Sequence, residues 1–230
     1  MIKKGSIPDP AINIWEHSAQ LLELCRLRAS DQVEEMDCAA QGAELAISLG
    51  AGSKVKLLDA GCGGGHFYHS LIRRGAPIDY CGLDYSPSYL KVAELAFKKL
   101  GINCYCFFLA DLAQLHDFDC QMAVMINVLS FNPDFRAPLE RLILTGAEVI
   151  VIRDFFGPRT VVKWEIDGYL DEGFNHLKGY WNQWSKKEVA AFFSDFGFKT
   201  RFIEDRRCQG RIEKVVGKDY VWSWLTAEKK

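Results

Sequence analysis

One short segment, residues 57–66, constrains the fold of this chain more than any other. An apolar run ends in an acid at Asp59, and a turn follows that carries glycine at positions 61, 63, 64 and 65. A helical pattern begins directly afterwards, at Phe67. The order predicts a strand, a tight turn and the start of a helix. This arrangement brings backbone N–H groups and the positive end of a helix dipole close to a polar ligand.

The spacing of these glycines separates two classes of nucleotide ligand. A dinucleotide-binding turn reads G-x-G-x-x-G, which requires a glycine where this chain has His66. The chain instead reads D-x-G-x-G-x-G from Asp59 to Gly65, which resembles motif I of class I S-adenosylmethionine (SAM) methyltransferases. The resemblance implies that SAM is the cofactor and S-adenosylhomocysteine (SAH) the product. The cofactor-binding residues it implies in this turn are Asp59, Gly61, Cys62, Gly63, Gly65 and His66.

Two further predicted strands also end in an acid. Asp84 ends the second strand and precedes Tyr85, and Asp111 follows the third strand and precedes Leu112. A carboxylate at the position of Asp84 can accept two hydrogen bonds from ribose hydroxyls. In SAM enzymes, the acid after the third strand, here Asp111, approaches the adenine amino group. Ligands bind at the carboxyl ends of parallel strands, so we expect all four residues to contact the cofactor. The alternative for each single acid is a cap on the following helix.

Strand and helix patterns alternate through the middle of the chain, which predicts parallel pairing with right-handed crossovers. The expected strands are 55–59, 79–84, 103–108, 121–127 and 147–153. Helices are expected at 65–75, 87–100 and 134–144, after two helical patterns within 9–49. A helix that begins after Ser185 precedes two last strands, at 198–204 and around 220–225, one of them antiparallel.

The predicted fold class is therefore α/β, with a doubly wound, mostly parallel seven-stranded sheet, an antiparallel C-terminal strand and an N-terminal helical cap. We expect two parts, the cap over 1–50 and a SAM-binding methyltransferase domain over 51–230. We expect the cap residues Trp15, Glu16 and His17 to form one wall of the site. The long connection 155–184 is expected to bind the acceptor, because such connections are usually lids or binding elements. This connection carries Trp164, Tyr169, Phe174, His176, Tyr180, Trp181 and Trp184.

The loop after the fourth strand reads Asn127-Val128-Leu129-Ser130-Phe131 and is similar to the N-V-L-H-H loop of small-molecule methyltransferases. The resemblance implies that Asn127 lies near the sulfonium or the amino-acid part of SAM. Ser130 and Phe131 replace the two histidines, so this loop provides no histidine base.

Methyl transfer from a sulfonium needs positioning and desolvation more than acid–base chemistry. A base is needed only for an acceptor that is a hydroxyl or a protonated amine. The candidate catalytic residues are Asp154, after the fifth strand, and His176, in the long connection. For Asp154 the alternative is a structural ion pair with Arg153.

The composition of the chain argues against several classes of binding partner. The 230 residues carry a formal net charge of −2, which lacks the basic excess of a nucleic-acid-binding protein. No apolar run approaches the length of a membrane span, and the start of the chain is polar, so we expect a cytoplasmic protein with no membrane partner. The eight cysteines show no metal-site spacing, which predicts buried, reduced thiols and no metal.

These features together predict a methyltransferase that modifies oxygen or nitrogen of a small molecule. One alternative is a SAM-binding regulatory or partner protein without methyl-transfer activity. Another is a nicotinamide-dependent oxidoreductase, which His66 disfavours. The sequence identifies neither the acceptor nor the oligomeric state.

Overall fold

The computed structural model describes residues 2–5, 7, 9, 11–51, 54–116, 118–168, 170–215 and 218–230. The α-helices are α1 (Ala19–Ala29), α2 (Asp37–Ala46), α3 (Phe67–Arg73), α4 (Pro87–Lys99), α5 (Arg136–Leu144) and α6 (Lys186–Asp195). The first six strands are β1 (Ile2–Lys4), β2 (Val55–Ala60), β3 (Ile78–Asp84), β4 (Tyr105–Leu109), β5 (Met122–Ile126) and β6 (Val149–Gly157). The later strands are β7 (Trp164–Ile166), β8 (Lys178–Tyr180), β9 (Trp184–Ser185), β10 (Phe198–Glu204), β11 (Glu213–Val215), β12 (Lys218–Tyr220) and β13 (Trp222–Lys229). Short helical turns lie at Ile14–Glu16, Ile47–Ala51, Leu112–Gln114 and Leu129–Phe131.

The main sheet has the strand order β1-β4-β3-β2-β5-β6-β13-β10, and β9 pairs with the end of β6. The strands from β1 to β6 along this path are parallel, while β13 is antiparallel to both of its neighbours. The α/β class, the mostly parallel sheet and its seven expected strands are confirmed. Two short strands that the sequence did not predict, β1 and β9, extend this sheet.

The sheet is covered on both faces, which explains why its central strands read as continuous apolar runs. Leu57 points into the core beneath α2, α3 and α4, and Leu58 points into the opposite core beneath α5 and α6. The chain leaves β2 towards β3 on one side, and later returns to place β5 on the other side. A crevice forms where the connections diverge in this way, at the carboxyl ends of β2 and β5.

Helix starts follow the expected side-chain caps. Ser86 caps α4, with Pro87 at the first helical position, where its missing N–H has no intrahelical partner to lose. Ser185 caps α6 by accepting the N–H of Glu188 at 3.4 Å. The carboxylate of Glu188 does not complete a capping box, because it accepts the hydroxyl of Thr160 instead.

The N-terminal region is more integrated with the sheet than a helical cap would be. Its strand β1 pairs with the edge strand β4, and α2 packs directly on β5 and β6. The first helical pattern divides at Ser18, which caps α1 by accepting the N–H of Leu21, so the residues before it form a separate 3-10 turn.

The connection 155–184 contains an antiparallel hairpin of β7 and β8. It braces the N-terminal region through Asp171, whose carboxylate accepts the N–H of Ala19 at 2.9 Å and whose own N–H donates to His17 O at 2.9 Å. His17 also stacks on Phe174, with ring centroids 3.9 Å apart. Tyr169 lies outside the described residues.

The expectation of reduced cysteines throughout is wrong at one pair. Cys81 and Cys106 form a disulfide between β3 and β4, where the two residues are direct register partners with Cα atoms 4.7 Å apart. Their 25-residue separation gave no local signal, because the pairing depends on strand register. Cys104 is an exposed free thiol, and the remaining free cysteines are buried.

Two specialised features, a membrane-spanning helix and a metal site, are absent from the described ranges. No helix there combines the length and apolar character needed to cross a bilayer. No three His, Cys, Asp or Glu side chains in the same ranges converge as metal ligands.

The disulfide predicts a response to reductant. Alkylation of the denatured, unreduced protein is expected to modify six cysteines, and reduction should expose all eight. Reduction should lower Tm by about 5 °C or more, because the bond restricts the unfolded chain. In Cys81→Ala/Cys106→Ala, Tm should no longer depend on reductant. Eight modifications before reduction would contradict the assignment.

Candidate functional site

A cavity of about 160 Å³ opens in the crevice at the carboxyl ends of the parallel strands. Residues from the glycine turn, from the ends of β3, β4 and β5, and from the N-terminal turn line it together. The lining residues are Trp15, Gly61, Gly63, Leu83, Asp84, Tyr85, Tyr89, Asp111, Leu112, Ile126, Asn127, Val128, Phe131 and Asn132.

The glycine turn depends on backbone conformations that favour glycine. Gly61, Gly63 and Gly65 have φ values of 78°, 52° and 74°. A side chain at Gly61 would also collide with Val128, so the turn packs closely against the loop after β5. The N–H of Gly61 donates to Leu83 O at 2.7 Å, which fixes the turn against β3.

Asp84 connects this turn to the start of α4. Its carboxylate accepts the N–H of Gly63 and the N–H of Ser86, both at 2.8 Å. Burial raises the pKa of Asp84 to about 6, although the backbone hydrogen bonds oppose the shift. Tyr85 follows it into the lining, and burial raises the pKa of that phenol.

Asp111 is both a helix cap and a lining residue. Its carboxylate accepts the N–H of Ala113 at 2.9 Å, and it faces the cavity beside Leu112. The capping alternative considered for the acids therefore does not exclude a ligand contact. One carboxylate oxygen holds the turn while the other remains for a ligand.

The other implied cofactor residues in the turn lie behind the cavity surface. Asp59 is buried and accepts the hydroxyl of Tyr80 at 2.5 Å. Burial raises its pKa to about 7, although the Tyr80 bond lowers it. Cys62 is buried, and Gly65 leaves room for the ring of Phe97. These residues shape the turn from behind.

His66 lies in a different, smaller cleft, between α3 and the residues that follow α1. Burial lowers the pKa of His66 to about 4, with a smaller contribution from the charge of Arg28. The imidazole is therefore neutral at physiological pH.

The loop after β5 presents Asn127, Val128, Phe131 and Asn132 to the cavity. Asn127 has φ 59°, a left-handed conformation that is uncommon for residues other than glycine. Its side-chain Oδ1 accepts a hydrogen bond from Arg153 Nη1 at 2.6 Å.

Neither candidate catalytic residue reaches the cavity. Asp154 is fully buried, and its carboxylate accepts the N–H groups of Phe155 at 2.8 Å and Ser130 at 3.1 Å. Burial raises its pKa. It supports the loop after β5 from behind, and the ion-pair partner of Arg153 is Asp205, at 2.6 Å. His176 is exposed, in the connection between β7 and β8.

No described residue of 155–184 lines the cavity, although the segment was expected to bind the acceptor. The hairpin stands one layer further out, where Trp181 packs edge-on against Phe131 at 5.0 Å. The cavity wall at this end consists instead of Phe131 and Trp15, whose ring centroids are 4.8 Å apart. Of the three residues expected at this wall, Trp15 lines the cavity, whereas Glu16 and His17 do not.

Sequence reasoning missed Tyr89, Phe131 and Asn132 as lining residues. Tyr89 lies in the first turn of α4, only five residues after Asp84. This short spacing is the sequence signal that places Tyr89 near the same cavity as Asp84. From the sequence, Phe131 is identified only as the residue at a histidine position of the related loop, and not as a lining residue.

Glu16 anchors the turn that carries Trp15. Its carboxylate accepts the hydroxyls of Ser86 and Ser88, and it also accepts the N–H of Ser88 at 3.2 Å. The N-terminal turn is thereby fastened to the start of α4, next to Asp84.

The fold and the cavity define an α/β protein of the doubly wound class, with its candidate site at the switch point of a parallel sheet. A family model described as a methyltransferase domain matches residues 51–152, the part of the chain that contains the glycine turn, Asp84, Asp111 and Asn127. This segment is therefore similar to a methyltransferase domain. A comparison with curated protein sequences finds no relative.

Several solved structures are similar to this chain in fold at low sequence identity. The magnesium protoporphyrin IX methyltransferase ChlM from Synechocystis PCC 6803, solved with bound SAH, is 18% identical with a TM-score of 0.64, over 97% of this chain and 100% of that chain. DhpI, in complex with SAM and HEP, is 19% identical with a TM-score of 0.59, over 90% and 95%. The [4+2]-cyclase SpnF is 14% identical with a TM-score of 0.63, over 83% and 81%.

The Glu16 contacts predict a local effect of substitution. In Glu16→Ala, backbone amides of residues 13–18 should exchange with deuterium faster, because the turn loses its bonds to Ser86 and Ser88. Glu23→Ala, which removes an exposed acid on the adjacent α1, is the matched control and should leave this exchange unchanged. Equal exchange in both variants would show that the other contacts of this segment, such as the packing of Trp15 on Phe131, hold the turn without Glu16.

Proposed function

We propose that this methyltransferase transfers the methyl group of SAM to an oxygen or nitrogen atom of a small-molecule acceptor. The observation that carries the proposal is that the cavity lining combines two kinds of surface. The carboxylates of Asp84 and Asp111 form one, which we assign to the cofactor as the acidic end, and the rings of Trp15 and Phe131 form the other, which we assign to the acceptor as the aromatic end.

The acidic end is suited to the adenosyl half of SAM. Asp84 would accept the ribose hydroxyls and Asp111 the adenine amino group, with Tyr85 and Leu112 as the surrounding surface. The methionyl half would then run past Gly61 and Gly63 towards Asn127. Asp59, Cys62, Gly65 and His66 contribute by shaping the turn.

The aromatic end is suited to the acceptor. Trp15 and Phe131 offer apolar area and exclude water. The positive charge of the sulfonium becomes dispersed during methyl transfer, so a dry, apolar site favours the reaction. SAM supplies an electrophilic methyl group, so the protein's part is to align the acceptor and keep the site dry.

The ionisable side chains among the described lining residues are two carboxylates at the cofactor end and two tyrosines. Burial raises the pKa of both Tyr85 and Tyr89. Both phenols therefore stay protonated at neutral pH, and neither can take a proton from the acceptor. The site therefore favours an acceptor whose reacting atom is already unprotonated, such as a carboxylate, an aniline or an acidic phenol. The net charge of −2 favours such small molecules over nucleic acid.

Cofactor binding is the first test. Calorimetry should show binding of SAM and SAH and none of NAD. Asp84→Asn should weaken SAH binding about 10-fold or more, because one of the two acceptor oxygens for the ribose is lost. Binding of NAD alone would contradict the proposed function.

The pKa of Asp84 adds a pH dependence to this test. As pH falls through about 6, its carboxylate takes up a proton and loses acceptor capacity, so SAH affinity should fall below that pH and be level above about pH 7. Asp84→Asn should remove this slope while leaving Asp59 in place. A slope that persists in the variant would assign the titration to Asp59, whose pKa is about 7.

The aromatic end predicts which substitutions affect the acceptor. SAH release is measured over a panel of carboxylic acids, anilines and phenols, and Trp15→Ala and Phe131→Ala should raise KM for the accepted compound with nearly unchanged SAH affinity. His176→Ala is the control and should leave turnover intact. Loss of turnover in that control would make His176 a catalytic residue, and SAH binding without turnover would favour the regulatory alternative. The [4+2]-cyclase SpnF has a similar fold, so the fold alone does not establish methyl transfer and turnover itself must be measured.

A further inference from the structure

The left-handed backbone of Asn127 requires support, because this conformation is unfavourable for a residue with a Cβ atom. Two hydrogen bonds with Arg153 provide this support. The N–H of Asn127 donates to Arg153 O at 2.8 Å, and Arg153 Nη1 donates to Asn127 Oδ1 at 2.6 Å. Arg153 therefore holds both the backbone and the amide of Asn127.

Arg153 is itself held rigidly. Its Nε donates to Asp205 Oδ2 at 2.6 Å, and the two side chains are only 4% and 1% exposed. The guanidinium lies over the ring of Trp222, 4.0 Å from the centroid. Asp205 is fixed by the N–H of Cys208, at 3.1 Å. A planar, buried cation in these contacts has one orientation.

Gln41 of α2 ties down both neighbours of Asp205. Its Nε2 donates to Glu204 O at 2.9 Å, and its Oε1 accepts the N–H of Arg206 at 2.7 Å. The position of Asn127 therefore depends on α2, β6 and the turn after β10, none of which lines the cavity at this point.

The direction of the Arg153 bond assigns the two ends of the Asn127 amide. A guanidinium can only donate, so the atom it meets is the amide oxygen, and Nδ2 points the other way. Within the part of the chain that the structure describes, no side chain or carbonyl bonds Nδ2, and Asn127 lines the cavity. The network therefore leaves an N–H donor for a ligand.

We propose that Arg153 is a positioning residue that fixes Asn127 as a hydrogen-bond donor to the carboxylate of the cofactor's methionyl group. The inference rests on the proposed function. If the adenosyl half occupies the Asp84 and Asp111 end, the methionyl half reaches the β5 side, where Asn127 adjoins Gly61 and Val128. The carboxylate is the strongest hydrogen-bond acceptor in that half, whereas its ammonium group can only donate.

Asn127→Asp is the decisive variant. It keeps an oxygen for Arg153 and the shape of the side chain, and it replaces the donor by an acceptor. SAH affinity should fall about 10- to 100-fold. The affinity for 5′-methylthioadenosine, which lacks the amino-acid part, should stay within about twofold of wild type, with Tm retained.

The outcomes separate this inference from the proposed function. Unchanged SAH affinity in Asn127→Asp, or an equal loss for both ligands, overturns the inference. Failure of the wild-type protein to bind either ligand overturns the proposed function instead.

A double-mutant cycle tests the role of Arg153. Arg153→Lys keeps the charge but loses the planar fork, and it should weaken SAH binding without affecting methylthioadenosine. In an Asn127→Ala background, the same substitution should cause no further loss, because Arg153 acts through Asn127. An equal loss in both backgrounds would show that Arg153 acts independently. If Arg153→Lys does not fold, Asn127→Asp alone still decides whether the donor exists.

Discussion

The candidate cofactor site depends on one buried carboxylate. Asp84 accepts the N–H groups of Gly63 and Ser86, so a single side chain joins the glycine turn, the end of β3 and the start of α4. The positive φ of Gly63 turns its N–H towards that carboxylate. Burial disfavours the charge and raises the pKa to about 6, while the two backbone bonds oppose that shift. The group that organises the site therefore loses its charge as the pH falls through about 6.

The sequence predicted what local patterns encode. Strand β2, the glycine turn and α4 follow from apolar runs, glycine spacing and a serine–proline start, and their bounds agree within about two residues. The acids at strand ends followed from the parallel topology, which brought Asp84 and Asp111 into one cavity. Asp59 was grouped with them by motif, but its side chain turns back towards Tyr80 because strand residues alternate between faces.

The rest depends on contacts between distant segments, which no short pattern records. Arg153 pairs with Asp205, 52 residues away, although the adjacent Asp154 was the partner considered from the sequence. Neighbouring residues of a strand point to opposite faces, so Arg153 and Asp154 cannot pair across β6. The Cys81–Cys106 bond and the aromatic wall of Trp15 and Phe131 likewise arise only after the sheet has formed.

The two ends of the cavity have different structural origins. The cofactor end consists of strand ends and a turn whose conformation is fixed by backbone bonds, so it tolerates little change. The acceptor end consists of Trp15, on a turn fastened by Glu16, and Phe131, on a loop supported by Asp154. A buried carboxylate that accepts two N–H groups is already satisfied, and using it as a base would release the loop that forms the wall. Under the proposed function, Asp154 would therefore act by holding Phe131 in place, and the acceptor's own nucleophilicity would drive the transfer.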